Sequence, residues 1–270
     1  MHCEFLVRKF SGFAVEYLDK EKAAKLFSFP LAAGILGDQL AGQVDPYRLT
    51  HALIKEAAAA GAQIYENTEA SEMETSQEGI SLTTGTGHHI YAERVVLATG
   101  FDTAKNIGRL SLRSRFFVAT PPVETFHGYE KRCVARAEAS NPFSLTTTAD
   151  GRILISGQDS ALVDGGGLTR VGRLRRLAQK RYDFLEHTLY ELFPAIPELR
   201  AQFTYSAPYG LTPDGMPYIG LHSRCPQIYC ALCPSDNAIL FAEMAGRAFV
   251  ALYRGEESPE LTLFKEGREL

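Results

Sequence analysis

The chain has 270 residues, with 28 Lys and Arg against 32 Asp and Glu and 45% hydrophobic residues, enough apolar material for one large core or two modest ones. A formal net charge of −4 gives no general attraction to nucleic acid or anionic lipid, because phosphate binding needs clustered, unbalanced Lys and Arg. Small-molecule chemistry is the better expectation, and neither a nucleic-acid nor a membrane partner is expected.

The first segment carries Glu4, Arg8, Lys9, Glu16, Asp19 and Lys20, so it reads neither as a secretory signal nor as an anchor. No later run approaches the ~18 apolar residues of a membrane span. Five scattered cysteines suggest no disulfide framework, and the expected location is cytoplasmic. Up to residue 40 the chain alternates short apolar runs, FAVEYL and LAAGIL, with Lys-rich turns. Asp45-Pro46 then sets a helix start, with Asp as cap and Pro at the first helical position. This helix runs to about Ala60, places Leu49, Ala52, Leu53 and Ala57 on one face, and stops at Gly61.

Three short strands, AQIYEN, ASEMETS and GISLTTG, are expected to form an antiparallel meander. The stretch HHIYAERVVLATG follows as one continuous apolar strand, its Val95 to Ala98 portion buried on both faces of a parallel sheet. VVLATG is the kind of ending that closes a dinucleotide-binding domain. From Leu110 to Ser206 the strands lengthen, as in CVARAEA and GRILISGQ, and one long helix from about Thr169 puts Val171, Leu174, Ala178, Leu185, Leu189 and Leu192 on one stripe before Phe193-Pro194 ends it. The turn GLTPDGMPYIG, the strand QIYCAL and a helix from about Asn237 to Tyr253 complete the pattern.

The segments VDPYRLTHALIKEAAAAGAQIYENT, VVLATGFDT, TTTADGRILISGQDS, ELFPAIPEL and GLTPDGMPYIG, in this order, resemble the D-amino-acid oxidase, glycine oxidase and sarcosine oxidase superfamily of FAD-dependent oxidoreductases. The resemblance runs from about Phe13 to the C-terminus. It implies an α/β (α+β mixed) fold, an incomplete FAD-binding domain of the FAD/NAD(P)-binding type joined to an antiparallel-sheet substrate domain. It assigns 1–43 and 109–207 to the substrate side, 44–108 and 208–256 to the discontinuous FAD-binding part, and 257–270 to a C-terminal tail. It also implies FAD as cofactor and oxidation of a C–N bond of a small amine or amino acid, the flavin supplying the difficult chemistry. Ala98, Thr99 and Gly100 would pass close to the FAD, Ala70 would lie near the adenine, and Gly220 would lead toward the flavin ring.

Two departures from that family stand in the sequence. No strand followed by G-x-G-x-x-G and a helix precedes Val95, although that unit is the main grip on the cofactor diphosphate. The run Gly165-Gly166-Gly167, followed by Arg170, reads as a loop. Residues 233–239, CPSDNAI, stand where the family has a glycine-rich loop near the flavin, so Ser235, Asp236, Asn237, Ala238 and Ile239 are expected at the cofactor. Asp236 or Ser235 is also the expected cap of the last helix. The expectation is an N-terminally truncated chain that does not retain FAD by itself, completed by an N-terminal polypeptide or a homo-oligomer. The alternative is a non-catalytic relative serving as a binding or subunit-interface module.

Other constellations weigh less. His222, Cys225, Cys230 and Cys233 have metal-like spacings, but Cys230 sits in a strand and Cys225 in a loop before Pro226, so they read as buried small hydrophobes and no metal is expected. The basic run Arg170, Arg173, Arg175, Arg176, Lys180 and Arg181 reads as a solvated helix face. A substrate carboxylate asks for a bidentate Arg, and Arg136 and Arg152 are the candidates; no catalytic side chain is singled out.

Overall fold

A computed structural model describes residues 1–37, 42–100, 111–137, 141–161, 168–196, 199–232 and 237–268, with backbone alone for 168–175 and for 260. The elements in chain order are α1 (His2–Phe10), β1 (Val15–Asp19), α2 (Lys20–Leu26), β2 (Ala33–Gly37), α3 (Pro46–Ala59), β3 (Ala70–Thr75), β4 (Ile80–Thr84), β5 (His89–Ala92) and β6 (Val95–Leu97). Then follow β7 (Ser111–Ala119), β8 (Ala135–Ala137), β9 (Phe143–Thr147), β10 (Ile153–Ala161), α4 (Leu168–Leu192), β11 (Phe203–Leu211), β12 (Tyr218–His222), β13 (Cys225–Leu232) and α5 (Ala238–Tyr253). The fold is mixed α/β with mostly antiparallel pairing, in two compact units: Met1–Asp45 with Ser114–Ala207, and Pro46–Arg113 with Pro208–Leu270. Among the described residues no helix is long and apolar enough to cross a membrane.

The first unit is built on the sheet β11-β7-β10-β9-β8. Alternation sends Phe116 and Val118 of β7, Leu145 of β9, and Ile153 and Ile155 of β10 into one core, where α4 meets them with Leu185, Leu189 and Leu192. Each such side chain contributes about 1.5–3 kcal/mol by leaving water. The core is closed by Phe27, Phe29, Tyr129 and Phe193, whose rings pack at centroid separations of 5.2 to 6.3 Å. Pro194 ends α4, as its sequence requires. The expected Lys-rich turn KEKAAKL is instead α2, because Asp19 accepts a hydrogen bond from the Lys22 N–H at 2.9 Å and caps a helix whose Ala23 is buried. Arg181 leaves the solvated face: it donates to the Gln158 carbonyl at 2.8 Å and lies 5.2 Å over the Phe116 ring.

The second unit has three layers. Sheet β12-β13-β6 is the middle one; Tyr218, Ile228, Cys230, Leu232, Val95 and Leu97 turn toward the meander's Met73, Ile80 and Leu82. The alternate residues Ile219 and Tyr229 turn toward Ala245, Ala248 and Phe249 of α5. The meander is displaced from its expected place by one strand. It consists of β3, β4 and β5, while residues 62–67 form no strand: local alternation is present, but a ladder needs a neighbour. The run HHIYAERVVLATG is likewise two strands, broken at Glu93 and Arg94.

β6 pairs with β13 in parallel, Val95 opposite Ile228 and Leu97 opposite Cys230. Its expected burial on both faces does not hold, since Val96 is 50% exposed. The reason is that α5 packs on β12 and β13 and leaves β6 at the sheet edge. Helix α3 buries none of its residues, and Leu53 is 61% exposed. Beyond α5 the chain packs rather than trails: Leu261 and Phe264 join the α5 core, and Phe264 accepts a hydrogen bond from the Ile219 N–H at 3.0 Å.

Candidate functional site

The end of a strand carries the free polar groups of the backbone, and in open α/β sheets ligands gather beyond the carboxyl ends of the strands. In the second unit β6 and β13 end side by side. Cys230 is the pivot, with Leu97 of β6 opposite it on one side and Gly220 of β12 on the other. Ala98, Thr99 and Gly100 leave β6 at this edge, all exposed. Leu232 ends β13 at the same edge, and α5 begins within a few residues, at Ala238. Of the residues expected at the cofactor, Ala98, Thr99, Gly100 and Gly220 come to one edge, and Asn237, Ala238 and Ile239 open the helix that packs on β12 and β13. Ser235 and Asp236 lie outside the described residues. Ala70, expected near the adenine, is exposed at the start of β3 in the meander.

Two glycines at this edge need to be glycine. Gly100 has φ +59° and Gly220 φ +142°, backbone that L side chains rarely adopt. At both, among the described residues and leaving chain neighbours aside, no atom lies within 4 Å of the place a Cβ would take. The N-cap of α5 is Asn237, not Asp236 or Ser235 as its sequence suggested, and its side chain makes no capping hydrogen bond. No acidic residue stands in the first turn of this 16-residue helix. A helix N-terminus carries a partial positive charge of roughly half a proton that favours an anionic group, and Asp236, which would compete with such a group, lies just before the cap and outside the described residues. An edge of backbone N–H groups, glycine and a helix N-terminus fits the donor set that a dinucleotide cofactor uses.

Cys225 and Cys230 serve packing rather than that chemistry. Cys230 is buried and its thiol is pushed up to about 12, chiefly by burial and then by the charge of Glu266, so it stays protonated and packs as a small hydrophobe. Cys225 lies in strand β13 rather than in a loop and packs against the same core; Cys233 lies outside the described residues. No group of three or more His, Cys, Asp or Glu that could hold a metal ion is found among the described residues.

Both arginine candidates belong to the first unit. Arg136 sits in β8 opposite Ser144 of β9, on the face away from the Leu145 core, and is exposed. Arg152 is spent on its own surroundings: it donates to Asp150 Oδ2 at 2.7 Å, to the Thr120 carbonyl at 3.0 Å and to Gln202, and lies over the Phe203 ring. Sequence reasoning missed a bidentate arginine, Arg115, which holds Asp159 at 2.9 and 2.8 Å across β7 and β10. It also missed Arg268, which grips Asp214 of the TPDG turn. Their partners are 44 and 54 residues distant in sequence, beyond any local signal. The turn itself was legible: Met216 N–H donates to Asp214 at 3.1 Å and Thr212 donates to the Met216 carbonyl at 2.8 Å.

Comparison with known proteins gives a consistent result. The family model DAO, FAD dependent oxidoreductase, matches residues 4–252. The chain is 28% identical over 252 residues to the glycine oxidase of Geobacillus kaustophilus, covering 92% of this chain and 64% of that protein. It is 26% identical over 250 residues to the glycine oxidase of Bacillus subtilis, covering 90% and 62%. The crystal structure of the Geobacillus kaustophilus glycine oxidase aligns with a TM-score of 0.78 at 24% identity, over 100% of this chain and 71% of that one. The chain thus spans a little under two thirds of the length of these curated relatives.

Proposed function

This chain belongs to the DAO family of FAD-dependent oxidoreductases, and on that premise we propose that it serves the FAD-linked oxidation of a C–N bond in a small amine or amino acid. The observation that carries this reading is the edge where Ala98, Thr99 and Gly100 leave β6 beside Gly220 and the start of α5. Bound FAD would supply the hydride acceptor there, and dioxygen would reoxidise it. The chain's own part is to bind and orient. Gly100 and Gly220 let the backbone approach the cofactor, and the N–H groups at Asn237, Ala238 and Ile239 face its anionic portion. Residues 44–108 and 208–256 act as the cofactor side and 1–43 and 109–207 as the substrate side. Arg136, exposed on β8, and Arg152 are the candidates for a substrate carboxylate. The cytoplasm is the location that fits this role.

The diphosphate grip is the part these residues do not supply, since no strand followed by G-x-G-x-x-G occurs among them. In this reading it comes from a polypeptide carrying such a unit, which would cover α3 and the outer edge of β6. Support comes from the 14-residue α3, which buries no residue although isolated helices of that length are marginal in water. A second reading, a non-catalytic relative serving as a binding or subunit-interface module, is favoured by the sequence CPSDNAI, with Cys233, Ser235, Asp236 and Ala238 where the family has glycines.

FAD titration of the purified chain, alone and mixed with a strand–G-x-G-x-x-G–helix polypeptide, tests the choice. The expected result is a colourless chain alone and stoichiometric flavin absorbance in the mixture. Absence of flavin from both supports the non-catalytic reading, and tight binding by the chain alone contradicts the need for a second piece.

A further inference from the structure

Resting on the reading of the β6–β13 edge as the cofactor wall, we propose that Arg268 is a positioning residue for that wall, holding the turn at 212–217 that delivers β12 and Gly220 to it. The side chain is only 10% exposed although it carries a charge. Its three nitrogens all donate. Nε and Nη2 take the two oxygens of Asp214, each at 2.7 Å, and Nη2 also donates to the Met216 carbonyl at 3.0 Å. Nη1 donates to the Pro217 carbonyl at 2.9 Å and to the Phe264 carbonyl at 3.3 Å. The guanidinium lies 4.5 Å over the ring of Tyr218, the first residue of β12.

The partners fall on two segments. Asp214, Met216 and Pro217 belong to the turn and Tyr218 to the first step of β12, whereas Phe264 belongs to the segment after α5 that is itself anchored by Leu261 and Phe264 in the core. Arg268 therefore ties a surface turn to a fixed point. A turn needs this more than a strand does. Gly215 sits at φ +73°, and the internal bonds of the turn, from Thr212 to the Met216 carbonyl and from Met216 N–H to Asp214, fix its shape without fixing its place. Two residues beyond Tyr218 lies Gly220, at φ +142°, so a shift of the turn passes into the wall. Lysine cannot replace this arginine: a point charge on a flexible stem makes neither the fork on Asp214 nor the stack on Tyr218.

The test compares wild type, Arg268→Lys and Arg268→Ala by amide hydrogen exchange, with FAD titration of the same proteins mixed with the glycine-turn polypeptide. Exchange at 216–221 is expected to rise about tenfold or more in both variants, with Ile228 and Tyr229 unchanged, and Lys is expected not to rescue Ala. FAD affinity in the mixture is expected to fall about tenfold as well. Unchanged exchange at 216–221, rescue by Lys, or a uniform rise across the whole unit overturns the proposal. So does FAD affinity equal in wild type and variants. If wild type takes no FAD in the mixture, the functional reading fails by that result, and the wall loses its cofactor, while the exchange comparison still decides whether Arg268 positions the turn.

Discussion

The two units differ in how each distributes its buried apolar residues. The first gathers its apolar residues into one core in which Tyr129, Leu145, Ile153, Ile155 and Leu185 are wholly inaccessible. The second divides its apolar residues between two smaller cores on either side of a three-stranded sheet and leaves α3, residues 62–67 and Val96 outside both. The first unit thus has one continuous core and the second two smaller ones, and each leaves a helix without buried residues, α1 in the first and α3 in the second.

Core truncation gives the largest expected effect. Leu189→Ala, beneath the first sheet, should cost about 3–5 kcal/mol in urea unfolding; a cost below about 1 kcal/mol would mean that the first core is looser than its burial implies. Next is the clasp of the second unit. The Arg268 guanidinium holds the Asp214 carboxyl well below its ordinary value of 3.8, so the carboxylate form is favoured in the folded state. The pairing then adds stability above the ordinary carboxylate range and loses it as pH falls toward the folded value. Asp214→Asn should accordingly cost about 2 kcal/mol at pH 7, and the gap from wild type should shrink below about pH 4. A gap independent of pH would remove the ionic part of the clasp.

These expectations differ in how visible they were in the sequence. Helices α3, α4 and α5, strand β13 and the TPDG turn were legible, because a 3.6-residue period, a Pro or a turn residue marks each locally. Parallel pairing of VVL was also legible, from its unbroken apolar run. What was hidden depended on neighbours distant in the chain. Residues 62–67 have a strand's alternation without a ladder; Val96 is apolar yet at an edge; and Arg181 belongs to a basic run yet turns inward onto Phe116. Of the candidate site, Gly100 and Gly220 could be named from motif, whereas Arg268 gives no sign of its role until Asp214 is seen beside it.

Smaller effects sharpen the contrast between the units. Gly100→Ala forces an L side chain into φ +59° and should cost about 1–2 kcal/mol, with a larger relative loss of FAD binding in the mixture; a neutral result would show that the loop relaxes. Leu53→Ser, on the exposed face of α3, should change the stability of the chain alone by less than about 0.5 kcal/mol yet weaken capture of the glycine-turn polypeptide. Equal loss in both assays would show that α3 already packs within the chain.

The most direct measurement of the central claim is amide exchange of the chain mixed with the glycine-turn polypeptide, with and without FAD. FAD is expected to protect residues 98–100, 219–221 and 238–240 together, while the core amides of the first unit stay as they were. Protection confined to the first unit, or none at these three segments when flavin absorbance shows FAD bound, would contradict the account.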